Sequence, residues 1–372
     1  MVEWKPIEDL GPYFGGLTGK TKDDFVDGNA KFITYMNVFT NPSLDVSTTG
    51  VVRINKGERQ NRIQKGDILF TGSSETPEEA GMSCVVTDEL NDDYYMNSFC
   101  FGIRLNQPEQ YNLGYLKHIL RSFNIRKEIA KSASGVTRFN ISKARFGKIR
   151  IPIPSLSEQQ RVVDILDTFT SSIENLKEQI AQRRNQYEYY RDQLLDLKEK
   201  EGVEMKTLGK VCALERGVRV VKKDLQEEGV IPVYQNSLTP LGFFEMSNYP
   251  EDTTFVICAG AAGEVGYSKV AFWAADDCTC IVCPPSICSK YVYNYLNTKQ
   301  YLLKSQVRKA SVPRLSKDVI GKLSIPIPSL SEQQRIVSIL DTFEMSIVNL
   351  EAQLAHREKQ YEYYRNKLLT FE

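Results

Sequence analysis

Ile151-Pro152-Ile153-Pro154-Ser155-Leu156-Ser157-Glu158-Gln159-Gln160-Arg161 is spelled again, letter for letter, from Ile325 to Arg335. This identity is the centre of a longer repeat. Gly147 through Arg191 returns as Gly321 through Arg365, displaced by a constant 174 residues without a gap. What precedes each copy is almost unrelated. A chain ordered variable, constant, variable, constant presents two different surfaces on two copies of one framework, an arrangement suited to reading two different half-targets.

The repeat reads as a long helix. Each proline pushes the residue before it to extended geometry, so Ile151 to Pro154 cannot be helical. Ser157-Glu158-Gln159-Gln160 has the form of a capping box and places the helix start at Ser157. Val162, Leu166, Phe169, Ile173, Leu176, Ile180, Arg183, Tyr187, Tyr190 and Leu194 then follow at spacings of four and three, a coiled-coil seam broken only by Arg183. Ile336, Leu340, Phe343, Ile347, Leu350, Leu354, Arg357, Tyr361, Tyr364 and Leu368 form the equivalent stripe, with Arg357 at the same break. Two matched seams need a partner, and each other is the nearest. The alternative, each stripe packing on its own globular domain, fits the length badly. No Gly or Pro interrupts Leu156 to Glu201, so at about 1.5 Å per residue the helix reaches roughly 65 Å. B-DNA repeats every ~34 Å, so such a strut could hold two reading heads one to two turns apart. Arg183 and Arg357 would fix register at some cost in stability.

The variable regions, residues 1 to 150 and 203 to 324, open alike with Val2-Glu3-Trp4-Lys5 and Val203-Glu204-Met205-Lys206. They also close alike: Ala133-Ser134 to Ser142-Lys143 answers Ala310-Ser311 to Ser316-Lys317, with Arg138 and Arg314 inside expected loops. Short β-type runs dominate between, at 32–36, 68–70, 99–103, 254–258 and 280–282, and helical patterns fall near 114–132 and 290–307. Each region is therefore a mixed α+β domain. Gly19-Lys20-Thr21 resembles the tail of a P-loop, but the first glycine of that pattern would fall on Phe14. Gly260 to Gly266 lacks the first glycine pair of a dinucleotide fingerprint and reads as a turn between strands.

Lys plus Arg and Asp plus Glu both number 47, so net charge is zero, which argues against a general polyanion binder. The charge is locally uneven. Between Arg121 and Arg150 stand Arg121, Arg126, Lys127, Lys131, Arg138, Lys143, Arg145, Lys148 and Arg150 against the single acid Glu128. Lys304, Arg308, Lys309, Arg314, Lys317 and Lys322, opposed by Asp318, repeat the pattern. Two basic stretches at matching places point to nucleic acid.

Catalytic patterns are missing. The one adjacent proline pair, Cys283-Pro284-Pro285-Ser286, lacks the amide or carboxylate before it and the aromatic after it that an adenine methyltransferase site needs. His118 and His356 are the only histidines, which leaves little for a triad. Cys280 and Cys283 have the spacing of half a zinc site without a second half, and reduced cysteines packing as small hydrophobes is the reading preferred. Neither a secretory segment nor an apolar run of membrane length is present, so a soluble cytoplasmic protein with no membrane partner is expected.

The doubled I-P-I-P-S-L-S-E-Q-Q-R leading into a long helix, the run Lys65-Gly66-Asp67-Ile68-Leu69-Phe70, and the Ala-Ser to Ser-Lys loop before each helix resemble the DNA-specificity subunits of type I restriction-modification systems. The resemblance covers the whole chain. It implies target recognition domains at 1–150 and 203–324 and conserved spacer helices at 151–202 and 325–372, the two helices pairing as an antiparallel coiled coil. It further implies a bipartite asymmetric target in double-stranded DNA and two methyltransferase subunits carrying S-adenosylmethionine. Separate restriction and translocase subunits would use ATP and Mg, and this chain itself would bind no cofactor and catalyse nothing. The expected phosphate contacts are Arg138, Lys143 and Arg145, then Lys309, Arg314 and Lys317. The expected base readers are Tyr35, Asn37, Ser73 and Ser74, then Gln235, Asn236 and Ser237. Helix pairing and partner docking fall to Leu166, Phe169, Ile173, Leu176, Arg183, Tyr187, Tyr190, Leu340, Phe343, Ile347, Leu350, Arg357, Tyr361 and Tyr364. Two rival readings are a specificity subunit whose methylation and cleavage partner is one polypeptide, and a coiled-coil adaptor whose two domains bind proteins. The adaptor leaves the two basic stretches unexplained.

Overall fold

The computed structural model describes residues 2–371 apart from 222, 224 and 310. Ala310 of the second Ala-Ser to Ser-Lys segment thus lies outside the described residues. The chain forms two compact units, Met1–Leu176 with Gln353–Glu372, and Lys177–Ala352.

In the first unit, a four-stranded antiparallel sheet runs in the order Tyr13–Gly15, Cys100–Ile103, Ile68–Thr71, Ser83–Val85. Ile68–Thr71 is buried along its whole length, as its unalternating apolar run requires for a central strand. A smaller sheet, Gly50–Val52, Ala30–Ile33, Tyr94–Met96, has its last pair parallel. Helices Leu113–Ile119 and Phe123–Ser132 contribute Tyr115, Leu116, Ile119, Ile125 and Ile129 to the core beside Phe70, Phe101 and Phe146. These three rings stand 5.0 to 5.5 Å apart.

The second unit repeats this plan from an almost unrelated sequence. Its four-stranded sheet is Ala213–Arg216, Cys278–Val282, Thr253–Ile257, Val265–Ser268, and its smaller sheet is Gly242–Phe244, Ile231–Tyr234, Trp273–Ala274, again with the last pair parallel. Buried Cys278 and Cys280 lie on one of its central strands, Cys278–Val282, as free thiols.

The strand expected from Phe32 to Met36 ends early, at Ile33. Thr34 accepts a hydrogen bond from the Asn37 amide at 3.1 Å and starts the helix Tyr35–Thr40. Each I-P-I-P segment is a strand of a two-stranded ribbon, Arg150–Ile153 against Glu3–Pro6 and Ser324–Ile327 against Glu204–Thr207, where a missing proline N–H is tolerated.

The long helices span Leu156–Leu195 and Leu330–Leu368. They begin ahead of the expected Ser157. The Ser155 hydroxyl accepts from the Glu158 amide at 3.4 Å, and Ser329 does the same for Glu332 at 3.3 Å. The buried glutamine of the motif has another task. Gln159 donates to the Pro154 carbonyl and accepts from the Asn112 amide, while Gln333 donates to Pro328 and accepts from Cys288. Asn112 and Cys288 are the N-cap residues of the helices Leu113–Ile119 and Ser289–Thr298, so each glutamine welds the start of a long helix to its own domain. The first long helix stops short of Glu201, because Leu195 and Leu197 both turn into the second core.

Inside each unit the two helices meet antiparallel. In the first, Phe169 packs on Tyr364; in the second, Phe343 packs on Tyr190 and Arg184 pairs with Glu351 at 2.6 Å. Among the described residues no helix is long and apolar enough to cross a membrane.

Candidate nucleic-acid interface

In the first unit the expected loop around Arg138 is a hairpin. Ala133–Ser134 pairs with Phe139–Ile141, which pairs in turn with Ser73–Ser74 at the end of a core strand. The Tyr35 hydroxyl donates to the Ser73 carbonyl at 2.7 Å, and Arg138 Nε donates to Ser73 Oγ at 3.0 Å. The Arg138 guanidinium lies 5.0 Å from the ring centre of Phe99, a large side chain left 55% exposed. Four candidates thus converge on one patch: Tyr35, Ser73, Ser74 and Arg138. Exposed Lys143 stands beside it over the rings of Phe101 and Tyr13, and Arg145 donates to the Ala133 carbonyl at 3.3 Å.

Asn37 does not join them. The helix begun at Thr34 turns its side chain inward, where its amide donates to the carbonyls of Asp45 and Thr48 and shapes that loop. The basic stretch also divides. Arg121 donates to the carbonyls of Val38, Phe39, Thr40, Asn41 and Ser83, and Arg126 to those of Glu78, Ala80 and Gly81. Burial pushes both guanidiniums down to about 10, and both serve as internal clamps rather than phosphate contacts. Lys20, next to the P-loop-like Gly19, is bound to Glu58 and the Arg53 carbonyl.

In the second unit Arg314 takes the centre of an irregular ladder, bridged to Ala259 on one side and Arg308 on the other. The Gly260 amide donates to the Pro313 carbonyl at 3.2 Å and the Ala261 amide to that of Asn236 at 2.9 Å. Gly260 has φ +80, and a Cβ there would stand 2.8 Å from the Asn236 carbonyl oxygen, so only glycine suits this approach. The ladder puts Arg314 on the wall of a recess of about 200 Å³, lined also by Arg216, Asp276, Asp277, Thr279 and Lys317; Gln235 and Asn236 lie outside this lining. Gln235 donates to Asp277 at 3.5 Å. Ser237 donates to the Thr239 carbonyl, within its own turn. Exposed Lys317 opens the helix Lys317–Lys322, capped by Ser316; exposed Lys309 precedes Arg314 on the ladder segment and does not line the recess.

Among the helix residues, Leu166 and Leu340 are fully buried in their units. Arg183 and Arg357, expected as polar breaks, lie 5.8 and 5.6 Å from the ring centres of Phe343 and Phe169. The breaks are thus filled by cation–π contacts. Tyr187 and Tyr361 reach Glu344 and His118.

The sequence model of the type I restriction modification DNA specificity domain matches residues 1–183 and again 200–357. The chain belongs to this family. A type I restriction enzyme specificity subunit of Haemophilus influenzae is 30% identical over 302 residues, 72% of this chain and 74% of that protein. The EcoprrI specificity subunit of Escherichia coli is 23% identical over 366 residues, 92% of this chain and 88% of the relative. The solved specificity subunit of M. genitalium shares the fold at a TM-score of 0.64 and 18% identity, covering 100% of this chain and 97% of that one. A chain from a structure of type I complex assembly and conformational transition gives 0.62 at 17% identity, over 99% of this chain and 97% of that one. As a specificity subunit, the chain is the DNA-recognising and non-catalytic component of its system.

Phe99, Asp277 and Arg216 lie at the centre of these patches, and sequence reading did not select them. The usable signal was slight: Phe99 and Asp277 each directly precede a buried cysteine that opens a core strand.

Proposed function

We propose that this specificity subunit reads an interrupted, asymmetric sequence in double-stranded DNA, one half-site per recognition domain. By doing so it directs adenine methylation or cleavage by partner subunits. The observation that carries the reading is the pairing of sameness and difference. Two domains share strand order and helix attachment yet hold different side chains on their polar patches, Arg138 with Ser73 in one and Arg314 with Asp277 in the other. One framework with two dissimilar faces is what an asymmetric bipartite target requires.

Recognition domains at 1–150 and 203–324, with spacer helices at 151–202 and 325–372, fit this division, and the helices would set the gap between half-sites. Lys143, Arg145, Lys309 and Lys317 are exposed and suited to hold phosphates, with Arg138 and Arg314 beside the base-reading positions. Two methyltransferase subunits would dock on the repeated helices. Tyr189 and Tyr363, one repeat apart, are 58% and 60% exposed and give each copy the same aromatic anchor. S-adenosylmethionine would be held by those subunits, and ATP and Mg by restriction and translocase subunits. Such a complex acts on cytoplasmic DNA.

Genome-wide mapping of N6-methyladenine with and without this gene tests the proposal. Loss of one interrupted, asymmetric motif on deletion supports it. An unchanged methylome, with the methyltransferase partners expressed, would contradict it.

A further inference from the structure

Between their matching ends the variable regions share little sequence, but their backbone hydrogen bonds align them around the two patches. The Gly72 amide donates to the Phe99 carbonyl at 2.8 Å, and the Cys258 amide donates to the Asp277 carbonyl at 2.6 Å. The Ile141 amide donates to the Gly72 carbonyl, and the Leu315 amide to the Cys258 carbonyl, both at 2.9 Å. On this register Phe99 and Asp277 are the same position, as are Ser73 and Ala259, and Asn140 and Arg314. Lys143 and Lys317, each one residue beyond its capping serine, are lysine in both domains. The cradle therefore keeps a common cation and varies what surrounds it, as expected if the constant group holds phosphate and the varied groups meet bases.

Phe99 and Asp277 differ most in chemistry and are the least explained by folding. Phe99 leaves over half its surface in water, on a polar patch, with a guanidinium on one face. Asp277 is half-buried with one long side-chain hydrogen bond, from Gln235 at 3.5 Å, and faces a recess that also holds Arg216, Arg314 and Lys317. Those cations offset the repulsion between a carboxylate and DNA phosphates, and a base amine would give Asp277 a closer partner than Gln235 does. Resting on the function proposed above, we infer that Phe99 and Asp277 are the equivalent specificity-determining residues of the two half-sites. Phe99 makes apolar contact with a thymine methyl group. Asp277 accepts a hydrogen bond from the exocyclic amine of cytosine.

The experiment uses the full chain co-expressed with its methyltransferase subunits and maps methylated motifs for the native chain, Asp277→Asn and Phe99→Ala. An asparagine donates as well as accepts and suits adenine, so Asp277→Asn should lower the preference for cytosine at one position roughly tenfold or more. The half-site read by the first domain should be unaltered. Phe99→Ala should relax a thymine position in the other half-site alone. Changes in both half-sites, or in neither, overturn the inference. Should Asp277→Asn fail to fold, Phe99→Ala decides alone, because an exposed side chain is dispensable for folding. If the native chain itself directs no interrupted motif, the underlying function has failed rather than this assignment.

Discussion

Phe169 lies on Tyr364 with ring centroids 5.2 Å apart and planes 24° from parallel. The pair recurs one repeat on, with helix roles exchanged, as Phe343 on Tyr190 at 5.5 Å and 25°. An arginine flanks each stack, Arg357 over Phe169 and Arg183 over Phe343. The constant segments thus specify their own antiparallel register twice, once inside each unit.

Replacing Phe169 or Tyr364 by Ala should each lower stability by about 1–2 kcal/mol, since Phe169 is half-buried and Tyr364 is exposed. A double-mutant cycle should return a coupling of about 0.5–1.5 kcal/mol. Denaturant unfolding of the single and double variants measures it; strict additivity would mean that the stack adds nothing beyond burial.

His118 makes the first unit sensitive to pH. Burial, aided by nearby Lys117 and Arg365, pushes its imidazole below the ordinary 6.5, although Asp167 at 2.7 Å opposes this and Tyr361 faces its other nitrogen. A depressed folded pKa means stability that is complete above about 6.5 and lost as pH falls through the lower folded value. Burial also pushes Asp167 up, but hydrogen bonds from His118 and Lys117 outweigh it and hold the carboxyl at about 2, so its contribution is lost only below about 3.8. The matching helix position of the second domain is Asn294. His118→Asn should flatten the fall in denaturation midpoint between about pH 7.5 and 5, with Asp167 still charged throughout.

Arg121 and Arg138 should separate folding from recognition. Arg121→Ala orphans several buried carbonyls and should cost about 3 kcal/mol. Arg138→Ala should change stability by no more than about 1 kcal/mol while weakening DNA binding by the assembled methyltransferase. Melting curves and binding titrations on the same preparations compare them.

Lys143→Ala and Lys317→Ala should weaken binding about equally for every sequence and each reduce the slope of log affinity against log salt by about 1. A changed base preference would make the lysine a reader instead.

The long helices were legible because a four-three spacing sustained over ten residues reads as helix. The spacing did not show that the start of each stripe packs on its own domain, as Val162 and Leu166 do in the first core and Ile336 and Leu340 in the second. The helix starts were less legible: Ser155 and Ser157 both precede the Glu-Gln-Gln run, and the choice depends on Asn112 and Cys288, remote in sequence, which claim the glutamines. Charge counting found the right stretch but could not divide it. Arg121 and Arg126 are spent on carbonyls at 38–41 and 78–83, which no local window contains. Asn37 looked like a reader until the cap at Thr34 turned it inward. The equivalence of Phe99 and Asp277 rests on backbone hydrogen bonding, and the cysteine that follows each is too slight a trace in the sequence to expose it.

The division of labour between the domains is tested most directly by replacing residues 203–324 with the matching region of another specificity subunit and mapping the methylated motif. One half-site should change to the donor's while the other half-site and the gap remain. A change in both half-sites, or in the gap alone, would contradict the account.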